Sequence, residues 1–179
     1  MKNETWEMST LDWTKKGADG AIVSSADVGN LVFSENKEQA RIAYFIVSEA
    51  VGQNGWIYPC ALTVVKTILA ALPTCCSAAR IESLDLISQI AASESAPDAQ
   101  DIAGDCLREI RGAYWYFIYG LQFDSIEMAS LYVDILGCLG KKFDDLTGEV
   151  EKYLELSLAK NLPKNDLEMI RNTIVELSK

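Results

Sequence analysis

Asp98, Asp101, Asp105 and Glu109 recur at intervals of three and four residues, the spacing at which side chains share one face of a helix. Carboxylates so grouped could share protons with a substrate, hold a cation, or meet a basic surface. The plainer alternative is a solvated helix face whose acids favour the helix N-terminus. Asp144, Asp145 and Glu149 form a similar group and are weighed in the same way. The second chemically distinctive stretch is Tyr114-Trp115-Tyr116-Phe117-Ile118-Tyr119. A helix cannot bury six such side chains in one direction. Tyr114, Phe117 and Ile118 suit an inner stripe, which leaves Trp115, Tyr116 and Tyr119 to neighbouring helices or to a groove. Aromatics left partly exposed there would anchor a protein partner. Trp56 and Tyr58, in a turn, are a second pair of candidate anchors.

Other chemistry is thinly supplied. The chain has no histidine, so the commonest general base and the commonest metal ligand are both missing. Serine or cysteine nucleophiles activated by histidine are thereby excluded. The five cysteines, Cys60, Cys75, Cys76, Cys106 and Cys138, contain no C-x-x-C pair, and Cys75-Cys76 is too close for a tetrahedral zinc pair. They are expected to be reduced, to lie within apolar helical patterns and to bind no metal. No phosphate-cradling glycine motif is present. No cofactor and no catalytic residue is therefore expected.

The 179 residues carry 26 acidic and 16 basic side chains, a net charge of −10. That charge disfavours nucleic acid and anionic membrane, and favours a basic partner, although solubility alone would also account for it. Met1–Glu7 lacks the apolar core of a signal peptide, and no uncharged run is long enough to span a bilayer. With reduced cysteines, this points to a cytoplasmic protein.

The elements that must position these residues are helices. The central pair is expected at Tyr58–Leu72 and Cys75–Ala92. Leu62, Val65, Leu69 and Leu72 would line the first, and Ile81, Leu84, Ile87 and Ala91 the second. Pro73 would stop the first and Thr74 would cap the second. Before them, residues 1–35 read as an irregular cap with short helices at Ser9–Lys16, with Leu11 and Trp13 facing inward, and after Ser25. Trp6 and Trp13 are expected to cover the end of the helical stack. Asn36–Val51 reads as a helix burying Ile42, Phe45, Ile46 and Ala50, ended by Gly52. Asn54-Gly55 is a turn. Pro97-Asp98 opens the next helix, which would run through Gly112, a point of close packing or a kink, to Leu121. Asp124 with Glu127 would cap a helix that buries Met128, Leu131, Ile135 and Leu139 and ends at Gly140. Leu146, Val150, Tyr153, Leu154 and Leu158 mark another. Asn165 with Glu168 would cap the last, with Leu167, Ile170, Ile174 and Leu177 inside. No sheet of three or more strands is expected, and Ala21–Ser25 is the nearest candidate strand.

The pattern repeats. Ala40-Arg41-Ile42 recurs as Ala79-Arg80-Ile81, and Phe45, Val47 and Val51 stay in step with Leu84, Leu86 and Ile90. A period near 40 falls in the range of two-helix repeats. Ala129–Leu139 continues it as a third copy, and the last helix as a truncated fourth. The segment Ala50-Val51-Gly52-Gln53-Asn54-Gly55-Trp56-Ile57-Tyr58-Pro59-Cys60-Ala61 resembles bacterial HEAT-like repeat proteins. Their repeats pair a helix ending near a Gly-x-x-Gly turn with a Tyr-headed apolar helix, and Arg80–Ala91 is similar to the next repeat helix. The resemblance covers residues 11–179 unevenly and is strongest from Asn36 to Ala92. It departs in the spacing before the third copy and in the aromatic run Tyr114–Tyr119. It implies an all-α, irregular HEAT-like solenoid of paired antiparallel helices forming one domain. It also implies protein binding rather than catalysis, since members are generally binding modules and some are immunity proteins encoded beside toxins.

The expected function is thus a non-enzymatic, acidic protein-binding module. The specific case is an immunity protein that occludes a basic toxin domain, and the alternative is a general scaffold or adaptor. A lyase or DNA-repair enzyme on a similar scaffold is disfavoured by the missing histidine and basic groove. The candidate partner-binding residues are Asp98, Asp101, Asp105, Glu109, Trp115, Tyr116, Tyr119, Trp56 and Tyr58.

Overall fold

The computed structural model describes residues 5–97 and 99–179, apart from the side chains of Trp6 and Glu7. The expected role of Trp6, and the position of Asp98, therefore lie outside the described residues. The chain is mostly helical and divides into two compact units, Met1–Ile110 and Arg111–Lys179.

In the first unit, α1 (Trp6–Thr10), α2 (Ser25–Val32), α3 (Lys37–Val51), α4 (Cys60–Ala71) and α5 (Ser77–Ala92) surround one core. The first helix lies earlier than the expected Ser9–Lys16, and Trp13 follows it, its indole Nε1 donating to the Met8 carbonyl at 2.8 Å. Serine 24, one residue before the expected cap, starts α2 with a capping box shared with Asp27. At α3 the Asn36 side chain accepts from Gln39 N–H at 3.0 Å, and Gly52 follows the last turn as expected.

The face that α3 buries is not the expected one. Ile42, Phe45 and Ile46 are 57%, 49% and 54% exposed, while Ala40, Ala43, Tyr44, Val47, Ala50 and Val51 point inward. Residues 42–47 contain no charged side chain, so periodicity alone offers two apolar faces. Small residues settle the choice, because alanines at 40, 43 and 50 let neighbouring backbones approach. Turning this way also places Arg41 within reach of Glu82 on α5, Nη1 donating to Oε2 at 2.7 Å.

Helix α4 is buried on almost every side, with Cys60, Ala61, Val64, Val65, Ile68 and Ala71 in the core. Leu62 and Leu69 are only half-buried. Its polar residues are satisfied: Thr63 Oγ1 donates to the Asp12 carbonyl at 3.1 Å and Thr67 Oγ1 to the Thr63 carbonyl at 3.0 Å. The helix starts two residues later than expected, and Leu72–Thr74 form a 3₁₀ turn containing Pro73. Thr74 is not a cap for α5. Its hydroxyl donates back to the Ala71 carbonyl at 3.0 Å, and Cys76 occupies the N-cap without a side-chain capping bond, its thiol donating to the Ser34 carbonyl at 2.9 Å instead. Cys75 and Cys76 consequently lie in the connection rather than within a helical pattern.

A small sheet corrects the expectation of none. Gly52–Gln53 (β1), Trp56–Ile57 (β2) and Glu94–Ser95 (β3) lie in that order, antiparallel and then parallel. Asn54 and Gly55 join β1 to β2 with φ of 54° and 82°, the left-handed pair that a two-residue hairpin turn requires. Ile22, in the nearest candidate strand, makes an isolated bridge to Lys16.

The expected long helix to Leu121 is two helices, α6 (Ile102–Gly112) and α7 (Tyr114–Phe123), broken beside Gly112. A Cβ on Gly112 would meet nothing within 4 Å, so the glycine marks the kink rather than close packing. Helix α6 starts after, not at, Pro97: Ser95 Oγ accepts from Ala103 N–H at 2.9 Å and Asp101 Oδ1 from Gly104 N–H at 3.0 Å.

The second unit packs α7, α8 (Ala129–Lys142), α9 (Asp144–Ser157) and α10 (Lys164–Leu177) together, with α8 meeting the other three. Asp124 and Glu127 form no capping box. A 3₁₀ turn, Ile126–Met128, intervenes, and Asp124 instead accepts from the hydroxyl of Tyr132. Nor does Gly140 end α8. It lies inside the helix, where a Cβ would come 2.9 Å from Leu177 of α10. At α10 the N-cap is Pro163, and Asn165 and Glu168 make no capping bond. Tyr153 and Leu158 are half-buried, whereas Leu146, Val150 and Leu154 are core residues as expected. Lys160 Nζ donates to the Leu121 carbonyl at 2.6 Å, supplying a cation to the C-terminal end of α7.

Of the residue pairs that the sequence sets in step, Ala40 and Ala79, Val47 and Leu86, and Val51 and Ile90 are buried on α3 and α5. Phe45 and Leu84 differ, the first exposed and the second fully buried.

All five cysteines are free thiols. Burial pushes Cys60 and Cys75 up to about 11 and Cys106 to about 12, and raises Cys138. Cys76 alone among them is exposed. At pH 8 an aromatic disulfide reagent is therefore expected to modify Cys76 promptly in the folded protein. The other four should wait for opening of the fold, and all five should react in denaturant. Several thiols reacting at one rate in the native protein would contradict this burial.

Candidate functional site

The described candidate acids Asp101, Asp105 and Glu109 belong to the first unit and are already engaged within the chain. Asp101 caps α6, Asp105 pairs with Arg108 one turn on, and Glu109 meets Lys66 at 3.1 Å. These pairs are partly exposed, where an ion pair contributes at most about 1 kcal/mol. They nevertheless spend much of the face's charge on local partners. Among the described residues, no three of His, Cys, Asp or Glu are grouped so as to hold a metal ion, and no helix is long and apolar enough to cross a membrane.

The aromatic candidates of the second unit lie on α7. Tyr114, Phe117, Ile118 and Leu121 enter the core, so the inner stripe is the expected one. Tyr116 is half-buried, its ring edge-on to Phe117 at 5.9 Å. Trp115 and Tyr119 are 59% and 62% exposed. Phe123, not singled out in the sequence, extends their line at 67% exposure. The spacing of four residues puts the three rings on one ridge. Trp115 stands edge-on to Tyr153, with ring centres 6.0 Å apart, and Tyr119 leans on Phe123 at 4.7 Å. These contacts reduce the side-chain freedom that a partner would otherwise have to freeze out. No charged residue occurs within α7.

Trp56 and Tyr58 flank Ile57, which strand alternation turns inward and buries. Trp56 is left at the edge of exposure and Tyr58 is half-buried, its N–H donating to the Val51 carbonyl at 3.1 Å. They do not form a joint aromatic surface of the α7 kind, because a buried residue separates them.

A further surface was missed because its residues were assigned to the core. The outward face of α3 carries Ile42, Phe45 and Ile46, and a groove runs along each side. One, about 420 Å³, is lined by residues including Phe33, Ala43 and Ile46, and the other, about 750 Å³, by Arg41, Phe45, Ile81 and Glu82. Ile42 borders both. The guanidinium of Arg41 lies 4.7 Å from the ring centre of Tyr44 and 4.5 Å from that of Phe45. Burial pushes the Tyr44 hydroxyl up to about 12, with Asp85 adding to the effect, and Gln89 donates to it. The available signal was the alanine spacing of α3, which marks a second apolar face as the one suited to close packing.

What the surfaces offer is apolar and aromatic area held at fixed geometry, which suits binding. No protein-family model matches the chain, and no curated protein or solved structure matches it either.

Proposed function

We propose that this protein is a non-enzymatic protein-binding module, built as a HEAT-like helical repeat, whose partner is a basic protein. The narrower form of the proposal is an immunity protein that inhibits a basic toxin by covering its active cleft, and the broader form is an adaptor. One observation carries the binding reading: Trp115, Tyr119 and Phe123 stand exposed in line on α7 and are steadied by ring contacts. Aromatic side chains that retain this much exposed area supply most of the energy of many interfaces. The net charge of −10 supports a basic partner by speeding encounter and rejecting acidic competitors. A cytoplasmic setting is part of the same proposal.

The test uses the product of the adjacent reading frame, co-expressed and purified, with rates measured at two salt concentrations. Trp115→Ala is expected to speed dissociation by an amount equivalent to about 2 kcal/mol, with little change in association. Raising salt should slow association. Absence of any complex with that product removes the immunity form. A complex indifferent to Trp115→Ala and Tyr119→Ala moves the contact away from α7 and defeats the observation on which the proposal stands.

A further inference from the structure

We infer that the outward face of α3 is a second docking ridge, and that its occupant is an amphipathic helix of another protein bearing Lys or Arg at both ends of its apolar stripe. The residues on this face are Glu38, Ile42, Phe45, Ile46 and Glu49. Their intervals of four, three, one and three place them along one side of the helix. The three apolar side chains between the acids are each about half-exposed. Exposure of that much contiguous aliphatic and aromatic area on one element is a mark of an interaction surface. The grooves flanking Ile42 give side chains of a second helix places to enter, as ridge-into-groove packing demands. Phe45 is fixed in advance by the Arg41 guanidinium over it and by an edge-on contact with Tyr44, 5.5 Å between ring centres.

Lys37 and Arg41 line the larger groove together with Glu38 and Glu82, so the charge that distinguishes an occupant is that at the two ends of the stripe. Glu38 and Glu49 are exposed, and neither has an ion-pair partner among the described residues. They close the apolar stripe at both ends, separated by about 16 Å at a rise of 1.5 Å per residue. A second copy of this chain fits poorly. Antiparallel α3 ridges would set Glu38 against Glu49, and parallel ridges would set each glutamate against itself, so like charges meet in either case. An anionic bilayer is disfavoured by the same carboxylates. A helix with basic residues at matching separation satisfies both ends while covering Ile42, Phe45 and Ile46. This inference concerns the first unit and does not depend on the aromatic ridge of α7.

The probe is a capped synthetic helix with leucines at i, i+3, i+4 and i+7 flanked by lysines about three turns apart. A second peptide carries glutamates in place of those lysines. Each is labelled with fluorescein and titrated by anisotropy against the full chain, and amide shifts map the contact. The lysine peptide is expected to bind at least about tenfold more tightly than the glutamate peptide, with shifts centred on α3. Ile42→Ser with Ile46→Ser should weaken it by about tenfold or more, and Trp115→Ala should leave it unchanged. Glu38→Lys with Glu49→Lys should reverse the preference between the peptides, which no loss of folding could produce. Equal binding of both peptides, no binding at millimolar concentration, or shifts centred on α7 would overturn the inference. So would a dimer in sedimentation that the Ile42→Ser, Ile46→Ser pair converts to monomer.

Discussion

Gly120→Ala is expected to destabilise the protein by about 3 kcal/mol, against the usual direction for such a change. Alanine is favoured over glycine inside a helix by about 1 kcal/mol, and Gly120 lies inside α7. Here the neighbour decides. A Cβ at this position would fall 2.2 Å from Cζ of Tyr132 and 2.5 Å from its Cε1, where carbon atoms normally stay beyond about 3.5 Å. The ring cannot step aside cheaply. Tyr132 is fully buried, and its hydroxyl donates to Asp124. Moving it would leave a hydroxyl and a carboxylate without their bond and would open space on the other side of the ring. Gly148 supplies the control. It lies in α9 with nothing within 4 Å of an added Cβ, so Gly148→Ala should stabilise by about 0.5–1 kcal/mol. Urea melts of the two variants beside the parent make the comparison. A Gly120→Ala midpoint at or above the parent's would mean that α7 and α8 do not pack as described.

The same pair of helices shows what was legible in the sequence. That Tyr114, Phe117 and Ile118 face inward while Trp115 and Tyr119 do not follows from a 3.6-residue period and needs no tertiary information. Helix identity in α3, α4, α5 and α8 was legible for the same reason. The ends were less so, because residues suited to cap one helix have competing partners elsewhere. Asp124 had the spacing for a capping box with Glu127 but serves Tyr132 instead, and Thr74 closes the helix before it rather than opening the one after. The sheet escaped because strands of two residues carry no alternation to detect. Its one local signal, Asn54-Gly55, marks a turn and says nothing of the strands on either side. The face of α3 departs furthest from the expectation. Two apolar stripes compete there, and hydrophobicity favours the bulky Ile42, Phe45 and Ile46. Packing favours the smaller residues, which allow α3 to sit close to its neighbours, and packing wins. The leftover large residues become the exposed ridge.

The acids teach a related point about charge. Net charge is a property of composition, but the part that can act on a partner is the part not already neutralised nearby. Asp105 and Glu109 have basic neighbours, and Asp101 is used as a cap. Glu38 and Glu49 were not singled out, since neither belongs to a cluster. Their value comes from standing at the two ends of an apolar stripe whose exposure only the fold determines.

Arg41→Met should test how that stripe is held in place, with an expected loss of about 3 kcal/mol. Two magnitudes compete for this residue. As a half-exposed arginine in an ion pair it would be worth at most about 1 kcal/mol. Its partner changes the account: Glu82 is only 4% exposed and accepts from Arg41 Nη1 at 2.7 Å. Asp85, at 3.9 Å, adds a second acid to the same guanidinium. Removing the arginine leaves a buried carboxylate beside another acid without a cation, the arrangement in which losses of about 3–5 kcal/mol occur. The lower end applies, because Arg41 itself keeps contact with water. Methionine keeps an apolar stem but removes both the charge and the guanidinium that lies 4.5 Å from the Phe45 ring centre. The discriminating measurement is a double-mutant cycle with Glu82→Met, read by denaturant unfolding. With both charges gone, the double variant should be more stable than Arg41→Met alone. If Arg41→Met costs less than about 1 kcal/mol and the two changes simply add, the pair behaves as an ordinary surface bridge. Phe45 and the ridge around it are then positioned by helix packing alone.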